Sequence, residues 1–468
     1  MLVIENMLFL IKYSKNNNFK EFKLILAKLK KVSLKLTIFS AFVVLVGCQN
    51  QSQQEAQQTV KQQPQQFYQQ VMLAAPILPA DLTNIAMREH SVANNTAQSS
   101  YKTARDVDYS KAGWQQRVAA DWQYFDIPTA KGKLLIIDYQ QQGSQLAYRY
   151  LANGSQNELY EPWSSSKIQA FSGAIAKVRA TNFQLGAHAT VGNSNVADLI
   201  TSINSYAPFG SADGNSNAIA SYFINVAGRE YLTKLFSDSW LKLNDSRIMF
   251  KGAYATDVFT PSTTRWQSID SDTISSDIAY FTANSDDPAY LGYRCDGCDL
   301  TGNKAMTTLA QAEWLKRLAS HTREPLTQQP FLQAQDIDVL FNGTGHTDKT
   351  AEVGGMMQGI SQMITESLAQ ALAPHDTRPA KQILDELTQG QWRVWQKIGW
   401  GPSETRSTTE TVMLAHVYLP FIQGGREFTL AAQNSVLGAS EENLAATGIQ
   451  MQANFTHAFK QLLIPPSQ

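Results

Sequence analysis

Strand-forming segments lie toward both ends of this chain, with a long helical stretch between them. That order restricts the fold more than any other feature. Residues 133–139 form a dense apolar run and residues 145–151 alternate, with a Gln-rich turn between them, which reads as a hairpin. Residues 392–400, 411–419 and 427–433 have the same texture, with Gly424-Gly425 in the turn between the last two. Helices are expected over 168–178, where Ile168, Phe171, Ile175 and Val178 share one face, and over 217–236, 307–318 and 355–372. Thr307 or Thr308 is placed to cap the third of these. A further helix is expected over 109–124, and an amphipathic helix closes the chain over 441–463. Strands from both ends bury their apolar faces most economically in one shared sheet. The expected class is therefore α/β of the α+β kind, an antiparallel sheet flanked by helices with an inserted helical lobe.

The bulk numbers remove several functions. Among 468 residues, 39 basic side chains balance 40 acidic ones, so neither a nucleic-acid footprint nor an acidic tail is present. The negative mean hydropathy argues against a multi-span membrane protein. Lys28, Lys30, Lys31 and Lys35 precede a short apolar run that ends at Gly47-Cys48. This is a charged region, an apolar region and a small residue before a cut, too short for a membrane span. It looks like a bacterial lipobox, which implies that Cys48 is lipidated and becomes the mature N-terminus. Residues 1 to about 27 are long for such a leader and point to a start further along the chain. Residues 49–70 are Gln-rich with almost no large apolar side chains, and read as a tether. The expected location is lipid-anchored to a bacterial membrane and facing the periplasm. There, Cys295 and Cys298 read as a local disulfide rather than half of a zinc site, since no second CxxC or histidine cluster lies nearby.

The chemistry centres on Ser164-Ser165-Ser166-Lys167. A serine hydroxyl needs a base to become a nucleophile, and a lysine can serve if burial or a neighbouring positive charge lowers its pKa. Residues i and i+3 share a helix face, and a helix starting at Ser164 would favour negative charge at the serine through its dipole. S-x-x-K occurs at Ser99-Lys102, Ser164-Lys167 and Ser239-Lys242, but only the second follows a hairpin and opens an amphipathic segment. Downstream lie Asn215-Ser216-Asn217 at a helix start and Lys397-Ile398-Gly399 on a strand.

This order resembles the penicillin-recognising serine hydrolases, the serine β-lactamases and D-Ala-D-Ala peptidases, with their S-x-x-K, S-x-N and K-T-G motifs. The resemblance runs from about residue 133 to 463. It implies a five-stranded antiparallel sheet with helices on both faces plus a helical lobe. It also implies that Ser164 is acylated and that Lys167 is its general base. Asn217 would bond the substrate amide and the lysine, and Lys397 the substrate carboxylate. The backbone N–H groups of Ser164 and Trp400 would form the oxyanion hole. The expected substrate is a peptidoglycan stem peptide or a β-lactam, with no cofactor and no metal.

The chain departs from the family pattern at two positions. Asn215 stands where a proton-shuttling serine is usual, which leaves Ser216 or Ser211 to supply a hydroxyl. Ile398 stands where a hydroxyl residue contacts the substrate carboxylate, so Ser403, Thr405 or Arg406 could make that contact. Asn215, Ser216, Ile398, Gly399 and Arg406 are thus the expected substrate-binding set. Residues 343–350 lack P-loop spacing and read as a Gly-rich turn before a helix. The chain divides into a leader (1–48), the tether (49–70), an N-terminal extension (71–130) and the hydrolase domain (131–465), with an insertion at about 250–390. The competing reading is an inactive lipoprotein of the same fold that binds cell wall or a partner.

Overall fold

The computed structural model describes residues 64–83, 100–292, 304–404 and 406–464. The leader, Cys48, and the Cys295–Cys298 pair lie outside the described residues. Eleven strands are described. They are β1 (Lys102–Thr103), β2 (Ala119–Asp121), β3 (Lys133–Gln142), β4 (Gln145–Ala152), β5 (Ala189–Val191), β6 (Ser194–Asn195), β7 (Arg265–Ser268), β8 (Ser275–Asp277), β9 (Arg393–Ser403), β10 (Thr408–Leu419) and β11 (Arg426–Leu437). The main sheet runs β1-β4-β3-β11-β10-β9, with β2 also on β4. The β3–β4 hairpin from one end pairs with the three C-terminal strands through β3 and β11, antiparallel, with Ile136 opposite Leu430.

The sheet is covered on both faces, and β3 shows why. Leu134, Leu135, Ile136 and Ile137 are all buried, and successive side chains enter opposite cores. A strand apolar on both faces can only be central, and each such side chain contributes about 2 kcal/mol of burial. Leu135 and Ile137 join the core that includes the helices Lys167–Thr181, Ser216–Ala227 and Thr308–Ala319. Leu134 and Ile136 join the core formed with the helices Met363–Leu372 and Leu444–Leu463.

Several expectations are corrected. The sheet has seven strands rather than five, because β1 and β2 add to its β4 edge. No helix spans 109–124. Gly113 adopts φ 71° there, Trp114 buries its indole with Nε1 donating to the Leu241 carbonyl, and β2 follows. The helix expected over 217–236 is two, Ser216–Ala227 and Arg229–Ser237, broken at Gly228 (φ 82°). The lobe is not all helical, since β6-β5-β7-β8 form a second antiparallel sheet in it. Gly343 ends the helix Ala334–Asn342 as a left-handed cap, so the Gly-rich segment follows one helix and leads into the 3-10 turn Gly355–Gln358 and the helix Met363–Leu372. Thr307 does cap its helix, accepting from Ala310 N at 3.1 Å.

Candidate active site

Ser164 lies in a single 3-10 turn, Trp163–Ser166, that feeds directly into the helix beginning at Lys167. Trp163 starts this turn at φ 48°, a conformation that a bulky residue rarely adopts and that is typical of strained functional positions. The three serines have separate uses. Ser165 Oγ donates to the Pro162 carbonyl at 2.6 Å and accepts from Gln311 Nε2 at 2.9 Å. Ser166 Oγ bonds the Trp163 carbonyl at 2.8 Å and the Tyr254 hydroxyl at 2.7 Å. Both are fully buried, whereas Ser164 is half-buried.

One 3-10 turn on, Lys167 is fully buried. Its Nζ donates to Ser216 Oγ at 2.9 Å and to Asn217 Oδ1 at 2.6 Å. Burial and then the positive charge of Lys304 hold this amine well below the ordinary lysine range. Lys304 donates to the Ala253 carbonyl at 3.0 Å, and the Tyr254 ring centroid lies 5.1 Å from Lys167 Nζ and 5.0 Å from Lys304 Nζ.

Ser216 and Asn217 open the helix Ser216–Ala227, whose cap is Asn215, its side chain accepting from Ala218 N at 3.2 Å. Asn215 is thereby occupied by the helix start, while Ser216 meets the lysine. Ser211 Oγ donates to Asp198 Oδ2 at 2.8 Å. Ser216 Oγ also donates to the Ile203 carbonyl at 2.9 Å, and that oxygen accepts from Lys397 Nζ at 2.7 Å. Ile203 lies in the last turn of the helix Val196–Ser205, where carbonyls have no intrahelical partner and carry the negative end of the dipole. A single orphan carbonyl thus links the two motif lysines. Lys397 is fully buried, and its pKa is held well down by burial and then by the charge of Lys167.

Strand β9 passes closely over the serine turn. A Cβ on Gly399 would overlap the backbone nitrogen of Ser164 and stand 2.8 Å from that of Ser165, so only glycine permits this approach. The Tyr206 hydroxyl donates to the Ile398 carbonyl at 2.6 Å from the side of β9 away from β10. Alternation in an antiparallel pair then turns the N–H and C=O of Trp400 to the same open edge. Pro402, which has no N–H to give, falls at the same parity. The Trp400 N–H is therefore on the open edge of β9.

Ile398 itself points the other way. Its side chain is 1% exposed and lies in the core beneath the Leu444–Leu463 helix, so it offers nothing to a substrate. Arg406 is held by two carboxylates. Its Nε bonds Glu410 Oε1 at 2.7 Å and its Nη2 bonds Glu161 Oε2 at 3.3 Å, while Trp163 Nε1 donates to Glu410 Oε2 at 2.8 Å. Ser403 is buried at the end of β9, and Thr405 lies outside the described residues.

Tyr206 was not singled out from the sequence, and its ring lies beside both motif lysines. It caps the Val196–Ser205 helix in the left-handed conformation at φ 56°. Its ring centroid lies 3.5 Å from Lys397 Nζ and 5.2 Å from Lys167 Nζ, and 5.5 Å from the Trp400 ring. Trp400 in turn meets Tyr68 at 6.4 Å, edge to face. The Tyr206 hydroxyl gives its proton to the Ile398 carbonyl. Burial pushes the phenol pKa up, so the group is a neutral hydroxyl rather than a base. Among the described residues, no group of three or more His, Cys, Asp or Glu side chains is placed to hold a metal ion.

No protein-family model matches the chain, and no curated protein does. Among solved structures it is similar to PBP-A, with 9% identity over 71% of this chain and 89% of the other and a TM-score of 0.35. It is also similar to a β-lactamase from Streptosporangium roseum, with 11% identity over 71% and 95% and a TM-score of 0.36. A class A β-lactamase from Bacteroides cellulosilyticus gives 11% identity over 71% and 92% and a TM-score of 0.37.

Proposed function

We propose that the chain is a serine hydrolase that works through an acyl-enzyme on Ser164. The observation that carries this reading is the fully buried Lys167 amine. It is bonded to Ser216 and Asn217 and held toward its neutral form, one turn after a half-buried serine. On this reading Ser164 Oγ attacks an amide or ester carbonyl and its proton passes to Lys167. The tetrahedral anion is held by the N–H groups of Ser164 and Trp400. The leaving group takes the proton back through Ser216, and water then releases the acyl group. Asn217 positions the lysine and the substrate amide.

The resemblance implies a β-lactam or a cell-wall stem peptide as acyl donor, and a domain exported and lipid-anchored at Cys48, facing the periplasm. The leader and lipobox support that location, and loss of palmitate-analogue labelling in Cys48→Ala would test it. The enzymatic reading is tested by intact-mass spectrometry of the full chain with a fluorophosphonate and with benzylpenicillin, beside Ser164→Ala. An adduct on the wild type and none on the variant is the expected result. A non-catalytic wall-binding role is the second reading, favoured by Asn215 and Ile398, which stand where the resembled family carries hydroxyl residues. Retained wall binding without any adduct would establish it.

A further inference from the structure

The end of the cleft that would receive a substrate carboxylate is closed to one. Lys397 is fully buried, its Nζ is committed to the Ile203 carbonyl at 2.7 Å, and the Tyr206 ring covers it at 3.5 Å. Ile398, the next candidate contact, faces the opposite core. Arg406 is already paired with Glu410 and Glu161, both buried, so a third carboxylate there would meet two of its own sign. The surface that remains is aromatic, running from Tyr206 through Trp400 to Tyr68. Such a wall takes apolar and uncharged groups, and leaves a desolvated anion without a counter-charge.

We infer that this site takes neutral acyl donors, esters or amides with an uncharged, apolar group at the Lys397 end, in preference to donors that carry a free carboxylate there. Tyr206 is the specificity-determining residue, because its half-buried ring lies 3.5 Å from the fully buried Lys397 Nζ and its hydroxyl occupies the Ile398 carbonyl. The inference rests on the proposed acyl-enzyme at Ser164. The bond made is Ser164 Oγ to acyl carbon, and the bond broken is acyl carbon to the ester oxygen, thioester sulfur or amide nitrogen of the leaving group, which departs protonated.

The test uses the full chain and a matched pair of thioester depsipeptides that differ only in ending in a carboxylate or in its methyl ester. Fluorophosphonate labelling of Ser164 is scored first, by intact mass. With labelling in place, kcat/KM for the methyl ester is expected to exceed that for the acid by about tenfold or more. Tyr206→Ala, which uncovers Lys397, is expected to shrink or invert that ratio, whereas Tyr206→Phe keeps the ring and the preference. Preference of the wild type for the free acid would overturn the inference while leaving the nucleophile intact. A ratio unchanged in Tyr206→Ala would remove Tyr206 from the explanation. Absence of labelling and of turnover would overturn the acyl-enzyme reading itself, and the inference with it.

Discussion

The amine of Lys167 sits 2.9 Å from the hydroxyl of Ser216, a residue flanked by asparagines on both sides. The two asparagines have opposite duties, since Asn215 caps the helix and Asn217 accepts from the lysine at 2.6 Å. Asn215→Ala should lower stability by about 1 kcal/mol and leave acylation near the wild-type rate. Ser216→Ala should slow acylation by roughly 10²-fold, the scale of a lost proton-transfer partner. Thermal melts and fluorophosphonate labelling rates on both variants check the pair.

The three consecutive serines should separate cleanly. Ser164→Ala should abolish labelling with little change in stability. Ser166→Ala breaks bonds to the Trp163 carbonyl and to Tyr254, so it should cost about 1–3 kcal/mol while keeping labelling. Labelling that survives in Ser164→Ala would place the nucleophile elsewhere.

The lysines set a pH dependence of known sign. Lys167 has a folded pKa below its unfolded 10.5, so the folded state resists its protonation. Stability is therefore lowest below the folded pKa, rises with pH between the two values, and levels off above 10.5. Acylation requires the neutral amine and should rise with pH through the same folded pKa. Lys304→Met removes the positive neighbour, and the ascending limb of the labelling rate should move to higher pH. Lys167→Met should abolish labelling and raise stability at neutral pH by about 1–2 kcal/mol, the usual trade at a working site.

Gly399→Ala places a methyl group against the backbone nitrogens of Ser164 and Ser165. Strand and turn must part, which should cost about 1–3 kcal/mol and separate the two oxyanion donors. Loss of labelling with a folded circular-dichroism spectrum is the expected outcome.

What could be read from the sequence follows a physical line. Lys167 and Lys397 sit on elements with strong periodicity, and the structure links both to the Ile203 carbonyl, Lys167 through Ser216, a residue the sequence offered only as a substitute hydroxyl. The orientation of Ile398 was missed: it was set among the substrate contacts by its place in the motif, whereas strand alternation with Trp395 sends its side chain to the opposite core. Tyr206 and Lys304 were not legible, because each acts from a loop or helix end, where no repeat fixes direction. The false helix over 109–124 has a similar cause. Tertiary burial of Trp114 and the turn at Gly113 outweighed a local pattern.

β9 is the terminal strand of its sheet. An edge that can align an extended substrate can, by the same hydrogen bonds, recruit a strand from another molecule and seed aggregation. Tyr206 ties up the Ile398 carbonyl on that edge, and Pro402 withholds the next N–H but one along it. Tyr206, the residue we infer to select what enters the site, thus also blunts this edge together with Pro402 against addition of a strand from another copy.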